Sequence, residues 1–488
     1  MSDQDEAISL SEISIDPSCA MKVPASFAFE RNILPLCMVN GDFIVAMSDP
    51  SDVTAIAALR RALGVPVIAK RAEETELKAY IRKLYGEVQA VRQDSVCEDA
   101  VATVDYLIRS AFLRHASDVH FDPGRDGVRV RFRIDGELEE VVWIPEDMQS
   151  SVVSRLKVLG GLKLDERRSP QDGGFSFRLQ DTFGNGETTL DIRIATLPGR
   201  YGERVTLRLL ETESKCFQTD SLGFSKEHRE IFEGVMNFPH GLVLLTGPTG
   251  SGKTTTLYAA IHYLLQSQPL NIITVENPIE YEIPGVFQAE VDCADKVNFS
   301  KALRSILRHD PDVIMIGEIR DGESLDTAVK AALTGHLVLS TLHTNDAVNA
   351  VTRLTNMGIE RHLVAATLRL SVAQRLARVL CPYCRRPHAI TAAEAMLCGN
   401  PEFEGKIAYR PNGCFRCAGS GIRGRTGLFE FFKPDVAISS AISEGANEAD
   451  LFAMCRERNA KTLFEDGMEK CLAGIVSLQE VHRVAGVF

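Results

Sequence analysis

Between Phe224 and about Val379, short apolar runs alternate with stretches of helical spacing. GLVLLT (241–246), NIITVE (271–276), DVIMIG (312–317) and HLVLSTL (336–342) each precede or follow a helical pattern. Continuous apolar strands separated by helices predict an α/β fold whose parallel sheet is covered on both faces by crossover helices. Upstream the pattern changes. VRVRFRID (128–135) alternates apolar with charged positions in strand register, after an amphipathic helix over VATVDYLIRSAFLRHA (101–116). DIRIATLP (191–198) and ERVTLRLLE (203–211), joined by a turn at Gly199 and Gly202, extend this β-rich character. Residues 1–95 mix short strands (FIVAMS, VPVIAK) with helices (TAIAALRRAL, ETELKAYIRKLYG) and read as a small α/β module. The polar stretch 86–99 reads as a linker, and the tail from 435 to 488 is mostly helical. The expected division is 1–95, 100–215, 216–380, a cysteine-bearing insertion at 381–428, and a helical region at 429–488.

Composition narrows the class only a little. Hydrophobic residues make up 45% and charged residues 25% of 488, ordinary for a globular chain of about three domains or more. The net charge of −12 argues against a general nucleic-acid binder, whose footprint is basic, so no nucleic acid is expected as a partner. The N-terminus, MSDQDEAISL, lacks a signal pattern, and no apolar run approaches the roughly 18 residues that span a bilayer. Membrane association is therefore expected only through a protein partner. Among twelve cysteines, Cys19, Cys37, Cys97, Cys216, Cys293, Cys398, Cys455 and Cys471 are scattered and are expected to be reduced, mostly buried thiols.

The densest chemistry lies at the end of the first apolar run. LVLLTGPTGSGKT (242–254) sets Gly247, Pro248, Thr249, Gly250, Ser251, Gly252, Lys253 and Thr254, followed by Thr255, between a strand and a helix. This is the phosphate-cradling loop: glycines let backbone N–H groups turn inward on a triphosphate, Lys253 supplies a point charge, and Thr254 offers a hydroxyl to Mg²⁺. The helix that follows would aim its positive end at the phosphates. ATP and Mg²⁺ are the expected ligands. In a parallel sheet, ligands sit beyond the carboxyl ends of the strands, and three further strands end in suitable groups. Glu276 and Glu280 follow Val275, Glu318 follows Ile316, and His343 follows Leu342; His336 is expected to join them. Phosphoryl transfer needs charge neutralisation and a positioned water. Glu318 is expected to orient or activate that water, Glu276 and Glu280 to polarise it or hold Mg²⁺ through its hydration shell, and His343 to sense the γ-phosphate.

These blocks resemble a known family, the type II/type IV secretion ATPases. LRSILRHDPDVIMIGEIRD (303–321) resembles their Walker B region, ITVENPIE (273–280) their aspartate box and TGHLVLSTLHTNDA (334–347) their histidine box. ASDVHFDP (116–123), VRFRIDG (130–136), SPQDGG (169–174) and DIRIATLPGRYGERVTLRLL (191–210) resemble the family's second N-terminal, PAS-like domain. The resemblance implies a RecA-like P-loop NTPase core. It also matches Arg193, Arg208, Arg304 and Arg308 to arginines that contact phosphates, some across domain or subunit boundaries. Arg304 and Arg308, four positions apart, are expected on one helix face. Asn277 departs from the family pattern, standing where Asp is common; the Walker B strand ends in Gly317 rather than Asp, which is usual for the family and implies that Mg²⁺ is less directly held than in many ATPases.

Cys381 and Cys384, then Cys414 and Cys417, form paired C-x-x-C turns. Two such turns complete a tetrahedral thiolate set, which selects a structural Zn²⁺. By resemblance, a tetracysteine insertion marks secretion and pilus-extension ATPases, and its loop is expected to project as a partner-contact surface. LPLCMVNGDFIVAMSDPSD (34–52) resembles the module that docks such motors onto inner-membrane proteins. The expectation is a cytoplasmic ATPase, peripheral to the inner membrane through a partner, working as a homo-oligomeric ring, expected to be a hexamer, and driving pseudopilus assembly in a type II secretion system. A type IV pilus extension ATPase and a DNA-translocating RecA-like motor are the alternatives.

Overall fold

The computed structural model describes residues 7–16, 19, 22–85, 99–180, 187–210, 218–291 and 299–486. Cys97, Cys216, Cys293 and nearly all of the linker expected at 86–99 lie outside the described residues. The chain divides into two compact units.

The first unit comprises the described residues up to 210 together with Leu380–Arg386 and Pro411–Arg423. Strands β1 (Ile33–Val39) and β2 (Asp42–Met47) form an antiparallel hairpin, and β3 (Val67–Arg71) joins β2 in parallel. Asn40 and Gly41 make the hairpin turn with φ of 53° and 90°, the Asn-Gly chemistry that matches strand twist. A six-stranded antiparallel sheet follows, from β4 (Asp118–Pro123), β5 (Gly127–Ile134), β6 (Glu137–Pro145), β7 (Gln171–Gln180), β8 (Glu187–Gly199) and β9 (Gly202–Leu210). Its order is β6-β5-β4-β9-β8-β7. Along β5, Val128, Val130 and Phe132 are buried while Arg129, Arg131 and Arg133 are more exposed, which is the alternation read in the sequence. One apolar core runs from Leu10 through Phe132 to Leu209, so the N-terminal module and the antiparallel sheet share their interior.

The second unit holds β10 (Gly241–Thr246), β11 (Ile272–Glu276), β12 (Phe287–Glu290), β13 (Val313–Ile316), β14 (Leu337–Leu342), β15 (Leu368–Leu380), the two-stranded pair β16 (Arg386–Ala389) and β17 (Ile407–Arg410), and β18 (Ile422–Phe432), except that Leu380, Arg386, Ile422 and Arg423 at the ends of β15, β16 and β18 belong to the first. The large sheet is ordered β12-β11-β13-β14-β10-β15-β18. Every pairing from β12 to β15 is parallel. Leu242 and Leu244 enter one core cluster and Val243 and Leu245 the other; Ile314 and Ile316 likewise oppose Val313 and Met315. Continuous apolar runs are thus required, because both faces are covered. The strand order also fixes the site. β10 lies between β14 and β15, so successive connections from it leave on both sides and open a crevice at the carboxyl edge. Helices Val436–Glu444, Glu448–Glu457, Leu463–Leu472 and Leu478–Ala485 close the chain, each capped by a side-chain oxygen of Asp435, Asn447, Thr462 or Ser477.

The stretch 381–428 is shared between the units: 387–410 and 424–428 belong with the large sheet, the two cysteine turns with the first unit.

Candidate functional site

Strand β10 is buried along its whole length and delivers Gly247 to the carboxyl edge of the sheet. Gly247 and Gly252 have φ of 145° and 87°, where a side chain is strained. Space forbids one as well: a Cβ on Gly247 would lie 2.5 Å from the Gln374 carbonyl oxygen, and one on Gly252 2.8 Å from Gln374 Nε2. The loop's crest, Pro248, Thr249 and Gly250, is exposed, and its helix, Lys253–Ser267, begins directly behind it with Thr254 and Thr255 half-buried. Lys253 is 9% exposed, and its ammonium donates to the carbonyls of Gly247 and Pro248, both at 2.9 Å. Burial pushes its pKa down to about 8; the Arg375 guanidinium adds to that push and the Glu318 carboxylate opposes it. Ser251 Oγ is buried and has no hydrogen-bond partner among the described residues. A buried orphan hydroxyl, a buried ammonium and a glycine cradle at a helix N-terminus form a donor set that fits a polyphosphate.

The acids stand along the same edge. Glu318 follows β13, is half-buried, and forms an ion pair with the exposed Arg320. Glu276, the last residue of β11, is 3% exposed and receives hydrogen bonds from Thr274 Oγ1 at 2.6 Å, Gln288 Nε2 at 3.1 Å and the Tyr258 hydroxyl. Its carboxylate therefore anchors the phosphate-loop helix, which carries Tyr258, to the sheet. Glu280 is exposed, and its backbone N–H donates to the Tyr258 oxygen at 3.3 Å. Asn277 donates its side-chain amide to the Val291 carbonyl at 2.7 Å, so the amide has a local partner that a carboxylate would not have. His343 is exposed on the loop after β14.

His336 stands elsewhere. It precedes β14, so in a parallel sheet it lies at the amino edge, where Nδ1 is 3.0 Å from the Ala331 carbonyl. Arg304 forms an ion pair with Glu323 and donates to Ser300 Oγ at 2.9 Å. Arg308 does not share its helix: the helix ends at Ile306, and the tighter Arg308 N–H to Ser305 carbonyl bond turns the chain away. Arg193 and Arg208 face each other across β8 and β9 in the first unit, where Arg208 Nε donates to Asp118 at 3.0 Å. Local reading of the sequence missed Gln374 and Arg375. Their signal was a polar pair inside the apolar run of β15, whose place beside β10 only the strand order discloses.

The four cysteines of the paired turns come together. Sulfur separations are 3.9 Å for Cys381–Cys414, 3.8 Å for Cys384–Cys417 and 3.7 Å for Cys414–Cys417, with all four within 4.8 Å of one another. The edge of a tetrahedron with Zn–S bonds of about 2.3 Å is about 3.8 Å, so the donor set fits zinc. Backbone N–H groups of Cys414 and Gly421 each donate to Cys417 Sγ at 3.2 Å. Burial pushes the Cys417 thiol up, and those donors outweigh it and leave it lowered. The turns face the chain's own N-terminal segment: Glu12 accepts from the Tyr383 hydroxyl at 2.8 Å and Arg416 Nη1 at 2.6 Å, and Ser14 N–H donates to the Arg416 carbonyl at 2.9 Å.

The model of the type II/IV secretion system protein family matches residues 95–483, and the MshEN domain model matches 6–91. The chain belongs to the type II/IV secretion system protein family. This secretion ATPase is 38% identical over 493 residues to type II secretion system protein E of Dickeya dadantii, covering 93% of this chain and 97% of the relative. It is 37% identical over 503 residues to the type IV pilus assembly ATPase PilB of Myxococcus xanthus, covering 97% and 88%. The crystal structure of the pilus retraction motor PilT with bound ADP matches with a TM-score of 0.52 and 26% identity, over 78% of this chain and 96% of that one.

Proposed function

We propose that this chain is the ATPase that powers a type II secretion system, hydrolysing ATP to drive pseudopilus assembly and so protein export across the outer membrane. The observation that carries this reading is Lys253: a buried ammonium on a glycine loop, with Glu318 at the end of β13, two strands away on the same sheet edge, in a chain that runs nearly the full length of a type II relative.

The chain's own residues divide the work. Lys253 and the loop N–H groups neutralise the β- and γ-phosphates, and the Thr254 hydroxyl together with Glu276 and Glu280 would hold Mg²⁺ directly or through its waters. Bound Mg²⁺ supplies charge neutralisation on the phosphates. Glu318 orients the attacking water and takes its proton; the Arg320 pairing fixes where that carboxylate points. His343, on the loop after β14, is assigned to sense the γ-phosphate. Arg193, Arg208, Arg304 and Arg308 are assigned to phosphates at domain or subunit boundaries of a ring, for which we propose a hexamer. The four cysteines hold a structural Zn²⁺, all four ligand positions being filled by protein. Residues 1–95 dock the motor onto an inner-membrane platform protein from the cytoplasm. No helix among the described residues is long and apolar enough to cross a membrane. Cys414→Ser is expected to lower bound zinc, read as metal per chain; unchanged zinc would rule out the tetrathiolate site.

The pilus assembly relative, at 37% identity over 97% of this chain, favours a second reading with the same chemistry and another client. Offering the full chain to membranes that carry one or the other platform separates them. Retention by the type II platform is expected, retention by the pilus platform supports the second reading, and retention by neither contradicts both.

A further inference from the structure

Lys253 has a cationic neighbour at the phosphate loop. Arg375 follows Gln374 on β15, and the pairing of Thr246 with Ala373 carries both residues to the same edge as Gly247 and Pro248. A Cβ on Gly247 would come within 3.0 Å of Arg375 Nη1, so the guanidinium lies directly against the loop's first glycine. Nη1 donates to the Gln374 carbonyl at 3.0 Å, and Nη2 donates to the Asn345 carbonyl at 2.8 Å. Asn345 belongs to the loop that carries His343. One side chain therefore touches both the glycine loop and the loop after β14. Next to it, Gln374 Oε1 accepts from Thr256 Oγ1 at 2.9 Å, so consecutive β15 residues brace the start of the loop and the first turn of its helix.

The charge of Arg375 is held in an unusual way. Asp346 and Glu430 are near enough to favour it, yet among the described residues no carboxylate lies within ion-pair distance. Backbone carbonyls take two of the five guanidinium donors. A half-buried planar cation with donors to spare is costly to hold without an anion. Lys253 rests on the carbonyls of Gly247 and Pro248, and a phosphate-loop lysine reaches the β/γ end of a nucleotide, so Arg375 stands at that end too.

We propose that Arg375 binds the terminal phosphate of the nucleoside triphosphate held by its own subunit, and through Asn345 ties that contact to the loop carrying His343. The proposal rests on residues 247–254 being the nucleotide site. Arg375 thereby makes this site prefer triphosphate over diphosphate, since the diphosphate offers nothing at that position. A mere tether between the two loops would affect both nucleotides alike.

The test is the dissociation constant of a non-hydrolysable ATP analogue and of ADP, each with Mg²⁺, for the full chain and for Arg375→Gln, Arg375→Lys and Lys253→Ala. Gln keeps an amide donor for the carbonyls but loses the charge; Lys keeps the charge. Arg375→Gln should reduce the preference for triphosphate by about tenfold, the worth of one charge-assisted hydrogen bond, and Arg375→Lys by less than about threefold. Equal losses for both nucleotides, equal behaviour of Gln and Lys, or unchanged affinities would overturn the proposal while leaving the site reading in place. Full triphosphate binding by Lys253→Ala would instead remove the site reading itself.

Discussion

Two buried lysines show how differently the chain treats the same charge. Lys157, in the first unit, is 1% exposed; its ammonium donates to both Glu203 oxygens at 2.8 and 2.9 Å and to the Glu166 carbonyl at 2.6 Å. Lys253, in the second, is 9% exposed and has two carbonyls of its own loop instead of a carboxylate. A buried ammonium with its counter-ion built in is an internal fastening between the helix Glu146–Leu159 and β9. A buried ammonium hydrogen-bonded only to carbonyls, with Glu318 favouring its charge from beyond ion-pair distance, raises the free energy of the fold, and the proposed nucleotide supplies the missing anion. Lys470, which donates to Asp466 and the Gly427 carbonyl at 2.6 Å each, follows the first pattern.

The contrast breaks most visibly under truncation. Lys157→Ala leaves Glu203 buried and unpaired, and chemical denaturation should show a loss of about 3–5 kcal/mol with ATP affinity of the folded fraction intact. Retained stability would contradict the fastening role. A buried acid held by cationic partners should behave in the same structural way. Glu480, 2% exposed, is pulled down to about 2: burial works against this, and hydrogen bonds from Arg483 and Arg378 overcome it. Because the folded value lies below the unfolded one, its stabilisation is present above about pH 5 and is lost as pH falls toward 2. Glu480→Gln should therefore cost about 3 kcal/mol at neutral pH, shrinking steadily across that window. A pH-independent difference would show that the carboxylate charge is not responsible. Lys253→Ala should do the reverse of Lys157→Ala: thermal stability unchanged or raised, and ATP binding weakened by about 2 kcal/mol, roughly thirtyfold.

The same contrast explains what could be read without coordinates. The phosphate loop, its strand and its helix were legible because glycine spacing, an apolar run and a lysine lie within thirteen consecutive positions, Leu242 to Thr254. The cysteine turns were legible for the same reason. Their position was not: the hydrogen bonds from Tyr383 and Arg416 to Glu12 join residues some four hundred positions apart, which no local pattern encodes. Helical spacing also put Arg308 on a face that the chain leaves after Ile306. His336 and His343 are close in sequence, yet β14 lies between them and sends them to opposite edges of the sheet. Gln374 and Arg375 escaped notice because the placement of β15 beside β10 is a property of the sheet order.

The central claim is that Glu318 governs water attack on a nucleotide gripped by Lys253. Steady-state MgATP turnover of full-length Glu318→Gln, measured beside its ATP affinity, tests it most directly. Turnover should fall by roughly a hundredfold to ten-thousandfold with affinity within about threefold of the parent. Turnover near the parent rate would contradict it.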